Sequence, residues 1–194
     1  MQIFKKRGAA ITVAVIVMVV SALFGVHRSV GRAAKKVEKM FYDGVYVSGE
    51  GYRQASIQDQ LDQRLSAAMT LWSIASNYDE LSGEAEELRA SRAALADAES
   101  ISEKYGANLA LSQSCDRLTE KLASVSLNER DKNEADDCIY RLEAAQKLID
   151  SSSYGDEVDG FINGTMKKFP VKYLKSLAFC KYPEYFAVNE GGKN

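Results

Sequence analysis

The sequence predicts an all-α protein: an N-terminal transmembrane helix followed by an antiparallel up-and-down bundle of three to four long helices. Three observations predict it. One uncharged apolar run, Ala9 to Val26, stands close to the start. The chain has only two prolines, Pro170 and Pro183, so nothing but scattered glycines interrupts a helix between Phe41 and Phe169. Between those limits apolar residues recur at steps of three and four, the spacing that gives a helix one buried stripe.

The run Ala9–Val26 carries no charge, and Thr12 and Ser21 are its only notable hydrogen-bonding side chains. At ~1.5 Å per residue its length of about 18 residues covers roughly 27 Å, close to a hydrocarbon core of about 30 Å. A helix satisfies every backbone N–H and C=O internally, as lipid requires. A cleaved signal peptide also combines a basic start with an apolar run. Here the run is longer than a usual signal core, and Phe24-Gly-Val-His-Arg28 offers no clear small-x-small cleavage site. The expectation is therefore an uncleaved signal-anchor, with the lipid bilayer as partner through residues 9–26.

Lys5, Lys6 and Arg7 precede the run, and Arg28, Arg32, Lys35, Lys36 and Lys39 follow it. Basic residues near the ends of a span set its orientation. This balance places the large domain in the cytoplasm and the N-terminus outside. The same cluster can touch anionic headgroups, although flanking charges that fix the helix ends explain it equally.

Composition bounds the rest. The 194 residues have room for one anchor and one ordinary domain, with 46% hydrophobic and 27% charged residues, as in folded domains. A formal net charge of −2 gives no case for nucleic acid. His27 is the only histidine and sits beside the apolar run, which argues against His-based acid–base chemistry and multi-His metal sites. Cys115, Cys138 and Cys180 form no CxxC pair.

Five segments follow: 1–8, a short basic N-terminus; 9–26, the transmembrane helix; 27–51, a membrane-proximal helix and hinge; 52–188, the bundle; and 189–194, a disordered tail. Val30, Ala33, Ala34, Val37 and Phe41 keep helical spacing, and Gly44, Gly49 and Gly51 predict a loop or hinge. The first bundle helix carries Ile57, Leu61, Leu65, Ala68, Leu71, Trp72, Ala75 and Tyr78, with Ser56 as a possible cap and Trp72 in the core. A second long helix runs from Ser82 to Leu122, loosened at Gly106. After a turn at Ser124–Arg130, a third starts near Asp131 with Ala135, Cys138, Ile139, Leu142, Ala145, Leu148 and Ile149. It weakens at Ser151–Gly155 and resumes through Tyr154, Val158, Phe161, Ile162, Met166 and Phe169 until Pro170. The aromatic tail, with Tyr173, Phe179, Tyr182, Tyr185 and Phe186, is expected to pack back on the bundle, since its exposure would make a large apolar patch. Cys115 and Cys138 lie about equally far from the turn. In an antiparallel hairpin they come near one another, as reduced core residues or, outside the cytoplasm, as a disulfide.

Ile57-Gln-Asp-Gln-Leu-Asp-Gln-Arg-Leu65, running on to Leu71 and Tyr78, resembles the first long helix of LemA-family proteins, with matches at Ile57, Gln60, Leu61, Arg64, Leu71 and Tyr78. Tyr154-Gly-Asp-Glu-Val158, Phe161-Ile-Asn163, Phe169-Pro170 and Leu177-Ala-Phe179, then Lys181 and Tyr185-Phe186, resemble the family's closing series in order and approximate spacing. Gly155 stands where the family has Asn. The proline often found inside the first long helix is replaced around Met69, and Ala90–Leu122 matches only in periodicity. The chain is thus similar to a divergent member. The resemblance implies a single-pass bacterial membrane protein with an antiparallel helical bundle and no established enzymatic activity.

No catalytic, cofactor-binding or metal-binding residue is assigned. Asp136 and Asp137, or Glu84, Glu86 and Glu87, read as solvated helix faces, because adjacent acids point to different sides and no Glu-x-x-His partner exists. Asn163-Gly-Thr165 fits a glycosylation sequon by chance. Two function classes remain. One is a non-catalytic, membrane-anchored interaction or scaffold module that binds protein partners or itself. The alternative is a ligand-binding or enzymatic module with an aromatic pocket made by the C-terminal tail and Trp72.

Overall fold

The structure, a computed structural model, describes residues 7–47, 49 and 51–187. The expected tail 189–194 and most of the basic N-terminus lie outside them. The protein is all-α with a helical bundle, as its periodicity predicts. The described chain forms two compact units that do not follow chain order: residues up to Glu38 with Asp156–Pro183, and Lys39–Gly155 with the chain from Glu184.

Helix α1 runs Arg7–Asp43. Its apolar run faces outward: Ile11, Val13, Val15, Ile16, Val17, Met18, Val19, Val20 and Phe24 are all exposed. Thr12 Oγ1 donates to the Gly8 carbonyl at 3.0 Å, so the run's one threonine is satisfied within its own helix. One turn after the run the pattern changes, and Val30, Ala34 and Val37 are buried. In the same unit Val158, Phe161, Met166 and Ala178 are buried.

The predicted hinge is a two-stranded antiparallel ribbon, β1 (Tyr46–Val47) against β2 (Tyr52–Arg53). Gly44 holds φ at +82°, and a Cβ there would sit 2.1 Å from the Gln54 carbonyl oxygen. Only glycine fits that approach.

The bundle comprises α2 (Ile57–Ala75), α3 (Ser82–Asp97), α4 (Ile101–Leu122) and α5 (Glu129–Asp150). Ser56 caps α2, its Oγ accepting from Asp59 N–H at 2.9 Å. A 3₁₀ turn at Asp79–Leu81 leads to α3, and Asn128 caps α5 through Asp131 N–H. Helix α2 packs against α3 and α5, and α3 packs against α4. Short links make successive helices antiparallel. Leu61, Leu71, Leu81, Leu88, Leu111, Leu118 and Cys138 are wholly enclosed.

Several expectations need correction. The second helix is two helices, broken at Ala98–Ser100 rather than loosened at Gly106. The cause is a capping box: Ser100 Oγ accepts from Glu103 N–H, and Glu103 Oε2 accepts from Ser100 N–H at 2.9 Å. The third helix also stops, at Asp150, and a separate α6 (Tyr154–Gly164) follows. Leu109 and Leu148 are exposed, and Trp72 is half-buried at the edge of the core. The aromatic tail divides. Phe186 packs on Phe41 and Tyr105, with ring centroids 5.5 and 5.3 Å away, and the Tyr154 hydroxyl donates to the Glu184 carbonyl. Phe169, Tyr173, Phe179 and Tyr182 stay exposed. Between Pro170 and Pro183 the chain makes only α7 (Val171–Leu174) and turns, which are too short to set up a one-sided stripe.

Candidate functional site

The residue that stands out in the bundle is Arg64. Ile57, Gln60, Leu61, Arg64, Ala68 and Leu71 follow the helical step along the buried face of α2, so the guanidinium enters the interior with the apolar side chains. It is 2% exposed. Taking a cation out of water costs several kcal/mol unless its protons are matched. Here neutral acceptors match three of the five. Nη1 donates to Asn108 Oδ1 at 2.7 Å and to Gln146 Oε1, and Nη2 donates to Ser112 Oγ at 2.8 Å. Nε is buried without a partner among the described residues.

These acceptors come from α4 (Asn108, Ser112) and α5 (Gln146), so one side chain of α2 binds two other helices. Asn108 Nδ2 donates to Gln146 Oε1 at 3.1 Å, and Gln146 Nε2 donates to Asp150 Oδ1 at 2.7 Å. No carboxylate forms an ion pair with Arg64 among the described residues. Burial lowers the pKa of the guanidinium, while Cys115, Asp150 and Asp116 act the other way.

Arg64 lies at the floor of a cleft of about 380 Å³ between α4 and α5, walled by Ser112, Cys115, Asp116, Glu143, Gln146 and Asp150. A second cleft, of about 470 Å³, continues between the same helices past Thr119 and Ile139 towards their connecting turn. Cys115 and Cys138 are buried, free thiols. Burial pushes the Cys115 thiol up to about 11; the charge of Arg64 opposes this and Asp116 adds to it. The thiol therefore holds its proton at neutral pH and is a poor nucleophile there.

At the turn end of the bundle, the Tyr78 hydroxyl donates to Asp131 Oδ2 at 2.8 Å and accepts from Asn128 Nδ2 at 3.1 Å. This ties the end of α2 to the start of α5. Asn108, Ser112 and Gln146 went unnoticed in the sequence. Asn108 did leave a signal, a polar residue in register with Ile101, Leu111, Cys115 and Leu118.

The other sequence candidates lie elsewhere. Asp136 and Asp137 are exposed. Glu86 and Glu87 pair with Arg89 and Arg117 on the surface. Asn163 accepts from Lys167 Nζ. The tail aromatic Phe186 has Phe41 and Tyr105 as ring neighbours, and Trp72 is half-buried on α2. No protein-family model, curated protein or solved structure matches the chain.

Proposed function

We propose that the protein is a single-pass, membrane-anchored helical-bundle module of the LemA type, non-catalytic, which presents its bundle to a protein partner or to a second copy of itself. The observation that carries the reading is α1: 37 residues long, with an uncharged apolar run whose side chains face outward. A run of that length exposed to water would be a large apolar patch; in a bilayer it is matched. The LemA resemblance is supported by where its residues fall. Ile57, Gln60, Leu61, Arg64 and Leu71 are all buried on α2, and Tyr78 joins the turn-end network. Of these, Arg64 and Tyr78 hydrogen-bond to other elements.

The bacterial cell membrane, with the bundle in the cytoplasm, fits both the resemblance and the basic residues that follow the run. The test expresses the full chain with a tag after Asn194. Retention in the membrane pellet after alkaline carbonate, with a protease-protected tag in intact cells, is the expected result. Release by carbonate overturns the anchor, and tag cleavage reverses the orientation. Chemical cross-linking in detergent extracts should then yield a specific adduct or a dimer; a monomer that captures nothing overturns the interaction role.

A further inference from the structure

We propose that the segment Lys167–Tyr182 is a second membrane contact: it lies in the interface beside the transmembrane run, inserts Phe179 and its exposed neighbours among the lipids, and binds anionic headgroups through its lysines. The inference rests on the reading of Ala9–Val26 as a span.

The position of the segment comes from one hydrogen bond within its own compact unit. His27, the residue that follows the apolar run, donates from Nδ1 to the Ala178 carbonyl at 2.8 Å. A carbonyl only accepts, so Nδ1 carries the proton. If Val26 ends the span, Ala178 sits at the level where hydrocarbon gives way to headgroups. Ala178 itself is buried, while its neighbours Leu177 and Phe179 are 65% and 82% exposed. Phe179 is held at φ 48°, a left-handed backbone that is rare for an aromatic residue. Such a conformation persists where the surroundings impose it. Here it accompanies a phenyl ring turned away from the protein.

The rest of the segment has the composition of an interfacial surface. Phe169 and Tyr173 are exposed and meet edge to face, with centroids 6.5 Å apart. Lys172 Nζ lies 5.6 Å from the Tyr173 ring centre. Between Asp159 and Glu184 there is no acidic residue, but there are Lys167, Lys168, Lys172, Lys175 and Lys181. On α1, Arg28, Ser29, Arg32 and Lys36, just beyond the run, line one exposed groove with Gly25 in its last turn. Aromatic rings with a polar rim favour the headgroup level, and lysines at that level attract anionic lipid. A protein partner would also accept exposed aromatics. The bilayer is favoured because the hydrogen bond to His27 fixes the segment beside it and because its charge has one sign.

The test uses the full chain in vesicles, with Trp72→Phe as background and one new tryptophan at a time: Phe179→Trp or Tyr173→Trp in the segment, and Val20→Trp in the span. Vesicles carry lipids brominated near the headgroup or at the chain ends, in neutral phosphatidylcholine or mixed with phosphatidylglycerol. The expected result is a blue shift and loss of emission at positions 179 and 173 with shallow bromines, and at position 20 with deep ones. Loss at 179 should deepen when phosphatidylglycerol is added and weaken with Lys168→Glu plus Lys172→Glu. Loss at position 20 with none at 179 or 173 overturns the proposal and leaves the anchor intact. No loss at position 20 overturns the anchor itself. A blue shift at 179 without loss to brominated lipid means that protein covers the ring, and overturns the proposal. Equal loss in neutral and anionic vesicles overturns the headgroup assignment.

Discussion

Arg64 is an ion held by neutral partners. Its three occupied donors each replace a water with an oxygen fixed by another helix, and its stem fills core volume. Arg64→Ala loses both and should destabilise the folded chain by roughly 2–5 kcal/mol. Arg64→Met keeps the volume and leaves Asn108 and Gln146 paired with each other, so it should recover much of that loss. Thermal melts at 222 nm in detergent decide; equal melting of wild type and Arg64→Ala would remove the network from the stability account. Cys115 gives a pH dependence of known sign. Its folded pKa, about 11, lies above the ordinary 9.0, so the folded state holds the proton more tightly than the unfolded one. Its contribution is complete below pH 9 and fades as pH rises towards 11, by about 2–3 kcal/mol at most. Cys115→Ala should flatten stability between pH 9 and 11, read from urea midpoints.

At the level of single elements, two local devices set the bundle's connectivity. Ser100 and Glu103 end one helix and begin the next, turning what periodicity alone would run together into an antiparallel pair. Ser100→Ala should cost about 1 kcal/mol, seen as a lower melting temperature with unchanged helix content. Gly44 allows the Gln54 carbonyl to approach the backbone before the β-ribbon. Gly44→Ala adds both a clash and a left-handed strain, and should cost at least about 1–3 kcal/mol. Gly51, also at positive φ but with no described atom within 4 Å of an added Cβ, should tolerate alanine with a smaller loss.

For the molecule as a whole, the apolar run is the feature on which the proposed membrane location depends. A lysine at mid-span costs about 2.5–3.5 kcal/mol on insertion scales. Val15→Lys with Val19→Lys puts two charges one turn apart and should release the chain from membranes into the carbonate-soluble fraction. Retention of that double variant in the pellet would show that another surface holds the protein to lipid.

The helical class, the anchor-like run and most of the buried stripe follow from the sequence by itself, because helix periodicity, proline placement and apolar length are local properties. Ser56 as a cap and Leu61, Leu71, Leu111, Leu118 and Leu142 as core are legible for the same reason. The break at Ala98–Ser100 was also local, written in Ser100 and Glu103, but continuous periodicity hid it. Tertiary structure alone decided the rest. Arg64 finds Asn108, Ser112 and Gln146 only when α2, α4 and α5 come together, since those partners lie 44 to 82 positions away. Likewise, only the fold brings the Ala178 carbonyl to His27 and leaves Phe169 and Phe179 facing outward while Phe186 packs on Phe41 and Tyr105. Burial of an aromatic residue depends on what the chain places over it, and no local pattern records that.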